Sequence, residues 1–349
     1  MSLFRDNTAN SQRLGVVLVN YKRAADTIEC LESLMRSTVQ VQVVVVDNGS
    51  ADGSIDAITA WAAGMAPATA ASPDMAPLSS PPLLKPWPLR RMTAEQARIV
   101  PPQGPLTLID AGDNLGFAGG NNLGMAHLLQ SDRIGNIWLL NNDTVVAADA
   151  AQAILARMTA VPNVGMCGTV VRFYWQPDTV QALGGSTFNL VTGNSASIGG
   201  GTLATMGFNP QLVADTMDFV LGASLVVSRK FLEAVGPMSE RYFLYFEEID
   251  WAVRNRRRGE AAFETAFAHS AVVWHKEGGS IGSSSKKGQR SGFSDYWLTR
   301  SRLRFVAHFY PLLLPWHAVW TLALILRRLM RGQGSKASAM LRALTGRRY

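Results

Sequence analysis

Three carboxylates fall within four residues at Glu247-Glu248-Ile249-Asp250, beside Trp251 and ahead of Arg254. Like charges held that close raise at least one proton affinity, which suits a general base. Acids in the first turn of a solvated helix would complement its dipole equally well. Asn141-Asn142-Asp143 ends an apolar run. An acid exposed there can hold Mg2+ or Mn2+ that is shared with diphosphate oxygens, and an Asx turn capping the next helix uses the same residues. Asp47-Asn48-Gly49-Ser50 ends another such run. An Asp there can accept from a pyrimidine N–H or a ribose hydroxyl, while a strand-to-helix turn capped by Asp52 or Ser54 explains the same pattern. Gly112 to Asn122 (GDNLGFAGGNN) puts backbone N–H groups and amides near a helix start, a setting for a diphosphate or sugar. It is no dinucleotide fingerprint, since its glycines do not open the first βα unit and are wrongly spaced. His275 follows Val272-Val273-Trp274 and precedes Lys276-Glu277-Gly278-Gly279-Ser280; a lone histidine after a strand is usually structural.

The elements that must position these groups alternate strand and helix patterns, which predicts a largely parallel sheet covered by helices. Leu14–Val19 is a nearly unbroken apolar run, as a buried parallel strand requires. Residues 24–37 place Ile28, Leu31, Leu34 and Met35 at helical spacing, and strands follow at Val41–Val46, Leu106–Ile109 and Ile137–Leu140. Each polar cluster of the first half sits at a strand's carboxyl end, where open α/β sheets bind ligands. Between residues 62 and 105 the pattern fails: Ala, Ser, Met and seven prolines from Pro67 to Pro88 predict a mobile insertion, a surface loop without chemistry. Further on, Phe219–Val227 reads as one strand, Phe231–Val235 as a short helix, Glu247–Arg258 as a polar helix and Ala266–His275 as a last strand.

Phe305–Leu326 holds no Lys, Arg, Asp or Glu, which meets the length of a membrane-spanning helix. Pro311, Pro315, His308 and His317 interrupt it, and arginines flank both ends, so the positive-inside rule selects no orientation. Broken helices lying in a membrane interface are the expectation, with a buried core pair as the alternative. The whole chain carries a net charge of +7, and its last stretch from Tyr296 has only basic charges. A basic tail interleaved with Trp, Leu and Phe points to an anionic membrane surface and not to nucleic acid. The 349 residues suffice for one large α/β domain with a small extension. Two distant cysteines, Cys30 and Cys167, argue for a reducing compartment. The first residues, with Arg5 and Asp6, show no signal-peptide pattern, so the cytoplasm is expected.

Taken in order, VVLVNYK (16–22), VVVVDNGSADGS (43–54), DNLGFAGGNN (113–122), WLLNNDT (138–144), FVLGASLVVSR (219–229), YFEEIDWAVR (245–254) and VWHKEGGS (273–280) resemble the family 2 glycosyltransferases, particularly the bacterial rhamnosyltransferase-like branch. The resemblance covers roughly residues 14–280 apart from the insertion. It implies a GT-A fold, Rossmann-like with a mostly parallel central sheet and flanking helices, over residues 1–290. Residues 291–349 would then be a helical, membrane-associating extension. It implies that Asn20, Asp47, Asn48, Asn114, Gly116, Gly120, Asn121, Asn142 and Asp143 bind the nucleotide sugar. Asp143 would end the metal-binding DxD element, with Asn141 where the first acid usually lies, and His275 would be a further metal or diphosphate ligand. Glu248 stands where the family often has an Asp as catalytic base, and Asp250 follows in its usual place. The implied reaction is inverting transfer of L-rhamnose from dTDP-rhamnose, assisted by Mg2+ or Mn2+, to a lipid-linked or polysaccharide acceptor in bacterial cell-surface glycan synthesis. The enzyme would sit on the inner face of the plasma membrane. A galactofuranosyl or hexosyl donor carried on UDP is the alternative. A nucleotidyltransferase would need a Gly- and Lys/Arg-rich loop near the first strand, where only Lys22 and Arg23 follow. A non-catalytic nucleotide-sugar-binding scaffold at the membrane is the remaining rival.

Overall fold

The computed structural model describes residues 13–277 and 291–349. Strands β1 (Arg13–Asn20) and β2 (Val41–Asp47) pair in parallel across helix α1 (Ala24–Leu34). Val16, Val17, Leu18 and Val43 to Val46 are wholly buried, which is why these strands read as apolar runs without alternation. Helix α2 (Ser54–Ala62) follows β2.

The next stretch corrects the expectation of a structureless surface loop over residues 62–105. It contains a short helix α3 (Ala76–Ser79), an edge strand β3 (Leu89–Thr93) and helix α4 (Ala94–Ile99), and β3 pairs in parallel with β4 (Leu106–Asp110). Its anchors are buried acids on α1. Glu32 accepts from Trp61 Nε1 at 2.8 Å, from the Leu83 amide at 2.5 Å and from Lys85 Nζ at 2.8 Å. Glu29 accepts from the Ala71 amide at 3.3 Å and from the Tyr174 hydroxyl at 2.6 Å. Hydrophobic periodicity is blind to a segment fastened by carboxylates to backbone amides, because its pattern carries no apolar repeat.

Helix α5 (Gly116–Leu128), strands β5 (Ile134–Asn141) and β6 (Thr144–Val146), helix α6 (Ala150–Ala160) and strands β7 (Val164–Phe173) and β8 (Gln176–Leu183) continue the chain. A hairpin of β9 (Gly185–Asn189) and β10 (Asn194–Ser197) precedes helix α7 (Pro210–Thr216). The single strand expected over Phe219–Val227 is two: β11 (Phe219–Val220) joins the hairpin as a small three-stranded sheet, and β12 (Ser224–Ser228) enters the main sheet. Gly222 sits in the turn between them, as an isolated glycine in a strand pattern foretells. Helices α8 (Arg229–Val235) and α9 (Glu247–Arg256) and strand β13 (Glu264–His275) complete the described residues up to 277. The main sheet runs β3-β4-β2-β1-β5-β12-β7-β13-β6, with β8 beside β7. From β3 to β5 every pairing is parallel; β12 is antiparallel to both neighbours. The architecture is α/β with a mostly parallel central sheet flanked by helices.

The carboxyl-terminal part forms helices α10 (Gly292–Phe309), α11 (Leu314–Met330) and α12 (Gly334–Leu344). The apolar run breaks at Tyr310 and Pro311, where proline removes an amide donor. Phe305 of α10 is wholly buried and packs against Phe188 and Phe246 at 5.7 and 5.3 Å between ring centroids, so α10 is part of the main core. Helix α11 differs. Leu312 in the turn before it and Trp316, Val319, Leu322, Leu326 and Leu329 along it are exposed at steps of three and four residues, while His317, Thr321 and Ile325 on the other side are buried. Pro311–Met330 has the length and apolar composition of a spanning helix, and most of it is not buried in the fold.

Candidate functional site

The carboxyl edge of the sheet gathers the first-half motifs into two networks. In the first, Asp47 accepts from Asn20 Nδ2 at 2.6 Å, from the Ser50 hydroxyl at 2.7 Å and from the Ser50 amide at 3.0 Å. Asn20 Oδ1 in turn accepts from the Thr27 hydroxyl at 2.8 Å, and Asn142 Nδ2 donates to that hydroxyl at 2.9 Å. Asn20, Asp47 and Asn142 are thereby tied into one buried group whose members shape the ends of β1, β2 and β5. In the second, Asn48 donates to Asn114 Oδ1 and to the Gly116 carbonyl, both at 3.1 Å, and accepts from the Leu115 amide at 3.0 Å. That clamp fixes the glycine-rich loop at the start of α5. Gly116 has φ of +74°, and a Cβ there would lie 2.7 Å from the Phe243 carbonyl, so only glycine serves. Gly120 lets α5 rest on Val19, and Asn121 spends its amide on the Phe117 carbonyl at 2.9 Å.

Asp143 and His275 meet across the β6–β13 pairing. His275 Nε2 lies 3.1 Å from Asp143 Oδ1, and Asn141 Nδ2 is 3.3 Å from the same ring nitrogen. Gln181 Oε1, an acceptor, lies 3.0 Å from Nδ1, which assigns that nitrogen its proton and turns Nε2 toward Asp143. Burial penalises the charge on Asp143, yet His275 and Lys276 more than offset it and hold the carboxyl below its usual range. Burial likewise pulls the His275 imidazole down, and Asp143 outweighs it and raises the ring. An oxygen and an imidazole nitrogen side by side fit Mg2+ or, better, Mn2+ completed by substrate oxygens. Among the described residues no group of three His, Cys, Asp or Glu side chains forms a closed metal cage.

Behind them Lys276 is buried between Asp26 and Glu29, 2.6 Å from each, with its ammonium 5.0 Å from the Tyr174 ring centroid. This ties the end of β13 to α1. Gly278-Gly279-Ser280 of the same motif lie outside the described residues.

The carboxylate cluster divides into three environments. Asp250 is 2% exposed, accepts from the Tyr242 hydroxyl at 3.0 Å and pairs with Arg254 at 2.6 Å. Glu247 is 1% exposed, its Oε1 has no hydrogen-bond partner, and burial together with Glu248 holds its carboxyl well above the usual range. Glu248 is only partly buried in the fold, and loss of solvent pushes its carboxyl up to about 7. Its carboxylate occupies the space a side chain at Gly222 would fill: a Cβ there would lie 1.8 Å from Oε1. The same turn bonds to the metal-type element, since the Asn141 amide donates to the Ala223 carbonyl at 3.0 Å. Ahead of α9, Tyr245 and Phe246 take φ of +67° and +77°, a left-handed conformation that bulky residues rarely adopt. The strap they end is held to the glycine-rich loop by the Phe117 amide, which donates to the Phe243 carbonyl at 3.1 Å.

No protein-family model matches the chain. An N-acetylglucosaminyl-diphospho-decaprenol L-rhamnosyltransferase of Mycobacterium tuberculosis is 27% identical over 198 residues, 50% of this chain and 60% of that protein. The low-salt glycan biosynthesis hexosyltransferase Agl10 of Haloferax volcanii is 24% identical over 155 residues, 43% of this chain and 46% of that protein. The chain resembles the family 2 glycosyltransferases. Its match spans less than two thirds of either relative's length. Among solved structures, a mannosyltransferase from Pyrobaculum calidifontis in complex with GDP-Man and Mn2+ has a TM-score of 0.49 at 14% identity, covering 97% of this chain and 87% of that one. Sequence reasoning did not single out Gly222, Gln181, Lys276 or the buried acids of α1, which the fold brings against the predicted residues. Only Gly222 carried a signal, as a glycine inside an apolar run; the others depend on contacts across the fold.

Proposed function

We propose that the chain is an inverting, metal-assisted glycosyltransferase that moves a sugar from a nucleotide donor to a lipid-linked glycan acceptor. The observation that carries this is the placement of Glu248 against the Gly222 turn, which bonds to Asn141 two residues from Asp143. A raised carboxyl against the turn that bonds to Asn141, with the Asp143–His275 pair at the end of the same strand, supports a division of labour between base and phosphate site. Glu248 takes the proton of the acceptor hydroxyl. The hydroxyl oxygen then bonds the anomeric carbon from the face opposite the leaving group, and the electron pair of the broken C–O bond departs with the diphosphate. Mg2+ or Mn2+, held by Asp143 and His275, would supply neutralising charge for that diphosphate when bound. Asn48 and Asn114 hold the loop whose amides face the donor, Asn20, Asp47 and Asn142 brace the strand ends beneath it, and Asp250 keeps α9 in place through Arg254.

L-Rhamnose carried on dTDP is the donor of this reading, in line with the mycobacterial relative's name; a UDP-hexose is the second reading, favoured by the haloarchaeal one. The exposed apolar stripe of α11, flanked by Arg327 and Arg331, supports a helix lying in an anionic membrane surface at the cytoplasmic face, where a lipid-linked acceptor is reached. The test is release of nucleoside diphosphate from a panel of nucleotide sugars, with membrane lipid extract as acceptor, with and without Mn2+ or Mg2+. Metal-dependent release from dTDP-rhamnose is expected. Binding of donors without release from any of them would favour the scaffold instead.

A further inference from the structure

The strap ahead of α9 is gripped by α10, a helix expected from sequence in the membrane-associating extension. Trp297, Ser301, Arg304 and Phe305 occupy positions i, i+4, i+7 and i+8 of α10, which is one face of a helix. All four reach residues 241–246. The Trp297 ring stacks on Phe243 at 4.7 Å between centroids, with 30° between the ring planes. Ser301 Oγ donates to the Leu244 carbonyl at 2.7 Å. Arg304 donates to the Arg241 carbonyl at 2.5 Å, and the Phe305 ring lies 5.3 Å from that of Phe246.

The Ser301 bond differs from the others in what it fixes. The Leu244 carbonyl belongs to the planar peptide that joins Leu244 to Tyr245, so turning that plane changes φ of Tyr245. Tyr245 and Phe246 hold φ of +67° and +77°, where Cβ crowds a carbonyl oxygen, and both side chains favour the opposite rotation. Such a backbone persists only where its surroundings over-determine it. Among the described residues no backbone amide bonds to the Leu244 carbonyl, so the Ser301 hydroxyl keeps it turned toward α10. Ser301 is 1% exposed, and solvent cannot take its place. A hydroxyl inside a helix ordinarily bonds back to its own helix. Thr299 does so, donating to the Asp295 carbonyl at 2.8 Å; Ser301 spends its hydroxyl on the strap instead.

We propose that Ser301 is a positioning residue of the transfer reaction: by fixing the Leu244–Tyr245 peptide it holds the left-handed pair at the start of α9 and so keeps Glu248 against the Gly222 turn. The effect passes through the backbone. Phe246 is the residue before α9, its carbonyl accepts the Asp250 amide at 2.8 Å, and Glu248 follows two residues later. Without the hydroxyl the peptide turns over, Tyr245 returns to negative φ, and the first turn of α9 swings with it. This rests on the glycosyltransferase reading with Glu248 as base, and adds to it the group that aims the base.

The experiment is steady-state sugar transfer by the full chain, with kcat and donor KM followed against pH in the wild type, Ser301→Ala and Thr299→Ala. Ser301→Ala should lower kcat by about tenfold or more and leave the donor KM within about twofold. Its acid limb should also move to lower pH, because a carboxylate released from the Gly222 turn regains solvent. Thr299→Ala, which removes a hydroxyl bonded within α10, should match the wild type in both. Calorimetric donor binding at wild-type stoichiometry in each variant counts the folded molecules. Glycine accepts a left-handed backbone without strain, so adding Ser301→Ala to Tyr245→Gly should cost much less than adding it to the wild type. A wild-type kcat in Ser301→Ala, a loss that leaves the acid limb in place, or a loss undiminished beside Tyr245→Gly overturns the positioning role alone. A wild type that transfers no sugar from any nucleotide donor, or whose kcat survives Glu248→Gln, overturns the reading beneath it.

Discussion

Within α9, four residues of sequence hold three carboxylates, and their surroundings give them three jobs. Asp250 is spent on Arg254 and Tyr242, Glu247 is buried with an unpaired oxygen, and Glu248 alone combines a raised proton affinity with access to the site. Glu248→Gln should lower turnover by about 10²–10⁴-fold, the usual worth of a general base, and leave nucleotide affinity unchanged in titration calorimetry. The base acts when unprotonated, and its carboxyl is pushed up to about 7. Turnover should therefore fall tenfold per unit as pH drops below about 7 and level off above it; a flat profile through neutrality would remove Glu248 from that role. For the Asp143–His275 pair the partner's charge outweighs burial and raises the ring. Asp143→Asn should accordingly move the His275 titration, followed by NMR, to lower pH.

Two elements owe their position to groups that carry no periodic signal. The β11–β12 turn makes room for Glu248 only because residue 222 is glycine. Gly222→Ala should displace the carboxylate and cost about 10²-fold in turnover, the scale of a 1 Å misplacement, while the melting temperature stays close to wild type. Equal activity in that variant would detach the turn from catalysis. The insertion is fastened through Glu32, which is wholly buried and meets Trp61, Leu83 and Lys85. Glu32→Ala leaves the Lys85 ammonium without its partner and should destabilise the fold by about 3–5 kcal/mol in denaturant unfolding. Proteolysis of the native state should then begin within residues 62–88.

At the scale of the whole molecule, α10 belongs to the core while the outer face of α11 is covered by nothing described. Serine at Leu312, Trp316 and Val319 together should sharply reduce co-sedimentation with anionic vesicles, and raised salt should weaken the wild type's binding in the same assay. Transfer to a water-soluble acceptor should persist in that variant. The strands that could be read from the chain are those buried on both faces, since burial writes itself as an apolar run: β1, β2 and β4 fall within one residue of their expected ends, and β5 starts three residues earlier than expected. The polar groups closing those strands were legible for the same reason, because a side chain at a carboxyl end has no core to enter. The turn that splits β11 from β12, the edge strand in the insertion and the buried acid face of α1 were not legible. Each depends on a partner well outside its own segment, as β3 does on β4, residue 222 on Glu248 and Glu32 on Trp61, and such a partner leaves no local trace. Composition placed three acids at the start of α9, and only the packing of Gly222, Tyr242 and Arg254 around them decided which one is free to act.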